Sequence, residues 1–173
     1  MITTQRLVLR DWRESDREPW AALNADPAVR EFFPEALTRV QSDESFDRIS
    51  AGLVTQRWGL WAVEHDGVFL GYASLAVPSF REGVEIGWRF ASHAWGRGFA
   101  TEAARAVLDF GFTELDLAEI ISFTAAGNMR SRAVMERIGM AHDSADDFDH
   151  PSVEQGHPLQ RHVLYRLARQ TDT

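Results

Sequence analysis

The 173-residue chain contains no cysteine and no lysine. The first absence excludes disulfides, thiolate metal sites and a cysteine nucleophile together. The second means that all 18 basic residues are arginine, so no side-chain amine is available as base, Schiff-base former or phosphate ligand. Tyrosine is scarce too, with Tyr72 and Tyr165 the only two. No apolar run approaches a membrane span and the N-terminus lacks a signal-peptide pattern, so the expected compartment is the cytoplasm, with no membrane partner. The formal charge of −8 argues against nucleic acid as the main ligand. That charge either draws an amine-bearing ligand or simply keeps the protein soluble.

What is present fits one globular domain, expected over residues 1–173: 45% of residues are hydrophobic and 25% charged, with no linker or internal repeat. Arg6 to Arg10 reads as an opening strand, with Leu7 and Leu9 on one face and Val8 opposed. A helix follows Asp16 and ends near Asn24, Asp26 and Pro27. Ser42 or Asp43 is the expected cap of a second helix carrying Phe46, Ile49 and Leu53. Three strands are expected at Leu60 to Glu64, Val68 to Leu75 and Val84 to Phe90, the first two joined by an Asp66-Gly67 turn. Ala100, Ala103, Ala104, Val107, Leu108, Gly111 and Leu115 form one stripe of a central helix whose small residues permit close approach to a sheet. Ala118 to Thr124 then reads as a buried strand, and Met129 to Ile138 as a helix stopped by Gly139. His142 to His157 is expected as a long polar loop, with or without a short strand, before a final strand with Val163, Tyr165 and Leu167 on one face. The strand–helix–strand around residue 100 implies a parallel pair with a right-handed crossover, and the hairpins before it imply antiparallel pairing. The expected fold class is α+β, a mixed, mostly antiparallel sheet flanked by helices.

The segment Trp95-Gly96-Arg97-Gly98-Phe99-Ala100-Thr101 stands directly ahead of that central helix. A helix start leaves backbone N–H groups unpaired and carries partial positive charge, and small residues let an anion approach. The reading is a phosphate cradle. Its spacing resembles the pyrophosphate loop of the GNAT superfamily of acyl-CoA-dependent N-acetyltransferases, with Gly98 and Ala100 at the last two fixed positions and Trp95 in place of the usual Gln or Arg. The order of elements resembles that fold from Thr4 to Arg169. Arg6 to Arg10, Trp61 to Glu64, Glu85 to Trp88 and Asn128 to Met140 resemble the branch containing ribosomal-protein N-terminal acetyltransferases.

The resemblance implies acetyl-CoA as cosubstrate and a splayed parallel strand pair that admits its pantetheine arm, which would pair with the backbone of Trp88 and Phe90. The pyrophosphate would take N–H groups between Gly96 and Thr101, Phe99 among them. Arg97 either adds charge there or is a solvated loop residue. Asn128 resembles an asparagine that bonds the pantetheine arm, and it also suits an N-cap. Ser131 is the position thought to meet the cofactor sulfur. The family's acid tyrosine, seven residues after that asparagine, is Met135 here, which leaves Ser131 or bulk water to protonate the thiolate.

The implied chemistry is direct attack of a neutral amine on a thioester, which needs a base. Glu85, on the strand entering the cofactor gap, is the candidate, against an ion pair with Arg89 or a neighbouring strand. Asp146, Asp147, Asp149 and His150 either recognise a cationic acceptor or form a solvated loop. Phe32, Phe33 and Pro34 are an acceptor-side lip or core. His150, His157 and His162 match no zinc spacing, and no metal is expected. The expected activity is acetylation of a primary amine, on a protein or peptide N-terminus or a small molecule, by a monomer or homodimer. The alternative is a catalytically silent CoA-binding or interaction module.

Overall fold

The computed structural model describes residues 1–170. Alternation in the opening segment buries Leu7 and Leu9 and leaves Val8 half-buried. The resulting strand β2 (Val8–Arg10) lies antiparallel between a short β1 (Ile2–Thr3) and β3 (Leu60–His65). Arg10 is buried, and its guanidinium meets the Asp16 carboxylate at 2.7 and 2.9 Å and Glu64 at 2.7 Å. Asp16 does precede helix α1 (Arg17–Ala25), but its carboxylate is taken by Arg10 and by the Arg13 N–H at 2.8 Å and makes no cap bond to α1.

Helix α2 (Arg39–Gln56) begins earlier than Ser42 or Asp43 would have it. Thr38 accepts a hydrogen bond from the Gln41 N–H while its own N–H donates to Gln41 Oε1 at 2.9 Å, a reciprocal cap that starts the helix there. Ser42 is buried instead and accepts from Asn24 at 2.9 Å, tying the two helices together.

Strand β4 (Val68–Ala76) returns from β3 through Asp66-Gly67, both at positive φ, and β5 (Glu85–Phe90) pairs antiparallel with β4 along its whole length. Helix α3 (Phe99–Thr113), β6 (Glu119–Ala125) and α4 (Met129–Arg137) follow, with Gly139 at φ 87° ending α4. The polar stretch after α4 holds more structure than a loop: β7 (Ala141–His142) and β8 (Phe148–Asp149) both pair with β9 (Arg161–Ala168). The sheet runs β1-β2-β3-β4-β5-β6-β9-β7, antiparallel everywhere except between β5 and β6.

Trp20, Leu23 and Phe46 of α1 and α2 pack with Ala62 and Phe69 on one face of the sheet. The other face receives α3 through Ala103, Ala104, Val107 and Leu108. That helix lies so close that a Cβ on Gly111 would sit 2.7 Å from Ile120 Cδ1 and 3.2 Å from Leu75 Cδ1. Among the described residues no helix is long and apolar enough to cross a membrane.

The parallel pair is brief. The Ile121 N–H donates to the Val84 carbonyl at 2.9 Å, the Ser122 hydroxyl donates to the Ile86 carbonyl at 2.9 Å, and Glu85 opposite Ile121 is the only paired register. Beyond that point each strand stays with its outer neighbour, β5 with β4 and β6 with β9, and the two part. The gap is therefore a consequence of two complete antiparallel ladders pulling in different directions as the sheet twists.

Candidate active site

The gap opens into a cavity of about 1040 Å³ between the splayed strands and the N-termini of α3 and α4. Three sets of groups meet on its walls.

The first is the loop ahead of α3. Gly96 and Gly98 take φ of 73° and 79°, a left-handed backbone that favours glycine. Among the described residues, no backbone N–H from Gly96 to Thr101 finds a protein acceptor, whereas Glu102 donates to the Gly98 carbonyl at 3.0 Å. Gly96, Gly98, Phe99, Ala100 and Thr101 all line the cavity. A run of unpaired donors at a helix N-terminus is a fit for a pyrophosphate. Arg97 is exposed, with its guanidinium 4.7 Å from the Phe99 ring centroid, and its carbonyl accepts from Arg6 at 3.0 Å.

The second is the open edge of β5. Val84 and Ile86 direct their carbonyls to β6, and by two-residue alternation Trp88 and Phe90 present their backbone groups to the same side, where no strand follows. One group there is taken: the Trp95 indole N–H donates to the Phe90 carbonyl at 2.8 Å. Trp95, the departure from the usual loop residue, thus pins the loop to the strand that precedes it. Nothing in its sequence position announced that role.

The third set surrounds the gap. Asn128 caps α4, its Oδ1 accepting from the Ser131 N–H at 3.2 Å while its Nδ2 donates to Thr124 Oγ1 at 2.9 Å, which leaves one amide hydrogen over. The Ser131 hydroxyl has no hydrogen-bond partner among the described residues and lines the cavity, as does the buried Met135. Tyr165 is buried with its hydroxyl held between Arg132 and Glu136, so it stands in the core. Tyr72 lines the cavity.

Glu85 makes no ion pair with Arg89. The carboxyl lines the cavity without a hydrogen-bond partner among the described residues, and burial alone pushes it up to about 8. A carboxyl so placed titrates near the range of an α-amino group. Arg89 faces the same side of β5 but turns toward α1. Its guanidinium carbon lies 5.0, 5.1 and 5.3 Å from the ring centroids of Trp20, Phe33 and Tyr72.

Phe32, Phe33 and Pro34 line the cavity and form its lip. The lip is tied across the gap by an ion pair between Glu31 and Arg130 at 2.5 Å. The acidic loop is not aimed inward: Asp146 pairs with Arg166 at 2.7 Å, Asp147 with His142 at 2.8 Å and Asp149 with Arg161 at 3.4 Å. His150 and His162 do face the cavity, and burial lowers both of them, so they are neutral near pH 7.

Residues 6–141 match the acetyltransferase (GNAT) domain family. The FsC-acetyl coenzyme A-N(2)-transacetylase of Aspergillus fumigatus is 32% identical over 186 residues, covering 98% of this chain and 76% of that protein. A solved GNAT-family acetyltransferase from Bacillus anthracis superposes with a TM-score of 0.81 at 25% identity, covering 96% of this chain and 97% of the other. The ribosomal L7/L12 alpha-N-protein acetyltransferase, solved in complex with coenzyme A, shares the fold at a TM-score of 0.77 and 14% identity, over 95% of each chain.

Proposed function

The chain belongs to the GNAT family and is an acetyl-CoA-dependent N-acetyltransferase, and from that premise we propose that it acetylates a primary amine by direct attack, with Glu85 taking the amine's proton. One observation carries the reading. A single cavity joins the unpaired N–H groups of Gly96 to Thr101, the open edge of β5 and the Glu85 carboxyl. In this reading one acetyltransferase domain spans residues 1–173.

When bound, acetyl-CoA supplies an activated thioester. The backbone N–H groups of Gly96 to Thr101 hold its pyrophosphate, assisted by the dipole of α3. The backbone of Trp88 and the Phe90 N–H pair with the pantetheine arm as a further strand would. The spare amide hydrogen of Asn128 and the Ser131 hydroxyl face the same arm. Backbone donors of β5 at the splay polarise the carbonyl. Ser131, or water reaching the open gap, returns a proton to the departing thiolate.

Glu85 works from a raised starting point. Its carboxyl at about 8 is matched to an α-amino group at about 7.7–8.0, so the proton moves between them with little driving force either way. The acceptor is the N-terminus of a protein or peptide, or a small amine.

The test is thiol release from acetyl-CoA across a panel of peptides with free N-termini and small amines, with the acetylated product identified by mass. Release coupled to an acetylated amine is the expected result. Coenzyme A binding with no release on any amine would return the chain to the class of silent CoA-binding modules.

A further inference from the structure

Arg89 is a cation on the cavity wall that, unlike the exposed Arg137, is largely withdrawn from solvent with no acid to account for it among the described residues. Its Nε is buried and has no hydrogen-bond partner among the described residues. No carboxylate stands within ion-pairing distance among those residues. What faces the guanidinium is aromatic: Trp20 from α1, Phe33 from the lip and Tyr72, which lies directly opposite Arg89 on β4. These π faces hold a cation in place but offer it no acceptor. Arg30 adds to the imbalance. It is near enough for the two positive charges to repel, and its own guanidinium is bonded to the Glu35 carbonyl and rests on Phe33 rather than on an acid.

Other charges near the cavity do not offset this pair. Arg130 is neutralised by Glu31, and the acids of the 146–149 loop are paired elsewhere. Glu85 is four residues away on the same strand face, about 13 Å between Cα atoms. The acceptor end of the cavity is therefore locally positive in a protein whose formal charge is −8. Burying an uncompensated guanidinium is costly, and its rigid fork of donors matches a carboxylate or a phosphate.

We propose that the amine acceptor carries an anionic group, a carboxylate or a phosphate, and that Arg89 receives it while the amine reaches Glu85. The spacing of the two side chains along β5 places that anion several bonds from the amine, and the ring walls favour an apolar body between them. The assignment rests on the reading of the chain as an amine acetyltransferase. It narrows the acceptors to zwitterionic amines, such as peptides with a free C-terminus, amino acids and aminoalkyl phosphates, and sets aside polycations.

The experiment compares matched amines in the wild-type enzyme, Arg89→Lys and Arg89→Met. Dipeptides are set against their C-terminal amides, and aminoalkyl phosphates against the corresponding aminoalcohols. Arg89→Met fills a similar volume and removes a charge that no acid balances, so the fold is kept, and the shift in melting temperature on adding coenzyme A verifies this. In the wild type, kcat/KM is expected to favour the anionic member of a pair by at least about tenfold, mostly through KM. Arg89→Met should abolish the preference and Arg89→Lys should restore part of it, with coenzyme A affinity unchanged throughout. Whether carboxylates or phosphates lead the wild-type ranking tells which anion the site takes. Equal or faster turnover of the uncharged partners in the wild type, or a preference that survives Arg89→Met, overturns the anion site while leaving amine acetylation standing. Absence of turnover on every amine defeats the parent reading instead, and the anion site with it.

Discussion

Replacing Glu85 by glutamine should make the enzyme slower and the protein more stable at the same time. A half-buried carboxyl raised by desolvation from 4.5 to about 8 binds a proton more tightly in the folded chain than in the unfolded one. Between those two values the native state holds more protons, so wild-type stability falls as pH rises from about 4.5 and levels off above about 8. At pH 7 the unfolded carboxyl is ionised and the folded one mostly is not, which costs the native state about 3 kcal/mol; access from the cavity trims this to about 2–3 kcal/mol. Glutamine escapes that cost. For a chain of this size the Glu85→Gln melting temperature should exceed the wild type's by about 5–10 °C at pH 7–8, with the gap nearly closed at about pH 4.5. Turnover should move the other way, down by roughly two to four orders of magnitude, with coenzyme A binding unchanged. Between pH 7 and 9 the ionisation of Glu85 should raise wild-type kcat/KM about tenfold beyond the rise that the amine's own deprotonation gives, and the variant's profile should keep only the amine's rise. Paired thermal melts and thiol-release profiles at constant ionic strength check both halves. A variant with wild-type turnover from pH 6 to 9 refutes the base, and one with wild-type stability throughout refutes the desolvated, unpaired carboxyl on which it rests.

Gly98→Val should weaken coenzyme A binding by about tenfold or more. A Cβ there has room, with the Arg6 guanidinium 3.5 Å away, but φ of 79° is a conformation that a branched side chain resists at a cost on the order of 1–2 kcal/mol. A folded Gly98→Val protein that shows the wild-type melting shift with coenzyme A would count against the cradle. Ser131→Ala should reduce kcat less than Glu85→Gln does, because solvent reaches the splayed gap and a thiolate leaves tolerably unaided; equal losses in coenzyme A affinity and kcat would assign Ser131 to holding the cosubstrate. Asp16→Asn should destabilise the fold by about 3–5 kcal/mol, since it strips the buried Arg10 guanidinium of its main partner. Chemical denaturation measures that loss, and a change under about 1 kcal/mol would show that Glu64 alone satisfies Arg10.

Much of this was legible in the order of residues because it depends on neighbours in the chain. The period of the small and apolar residues from Ala100 to Leu115 specified both the helix and its close approach to the sheet, and Gly111 against Ile120 bears this out. The glycines of the loop were informative because a positive φ is a local requirement. Where the fold departs from the sequence expectation, a competing signal decides. Thr38 and Gln41 cap α2 before Ser42 can, and the polar stretch after α4 could suggest a short strand but not place β7 and β8, because two-residue strands carry no periodicity and exist only through pairing with β9.

Spacing in sequence could nominate Glu85 but could not say what surrounds it. Its raised pKa arises from burial among segments far apart in the chain, and only the folded arrangement shows that Arg89 leaves it unpaired and turns instead toward Trp20, Phe33 and Tyr72. The Trp95 indole that closes the Phe90 carbonyl belongs to the same class of fact. By itself the sequence determined the helices, the strand that enters the gap and the glycine turn ahead of α3, because backbone preference and hydrophobic period act within a few residues. The tertiary structure alone decided which charges are left without partners, because desolvation and ion pairing depend on what the rest of the chain brings within a few ångströms.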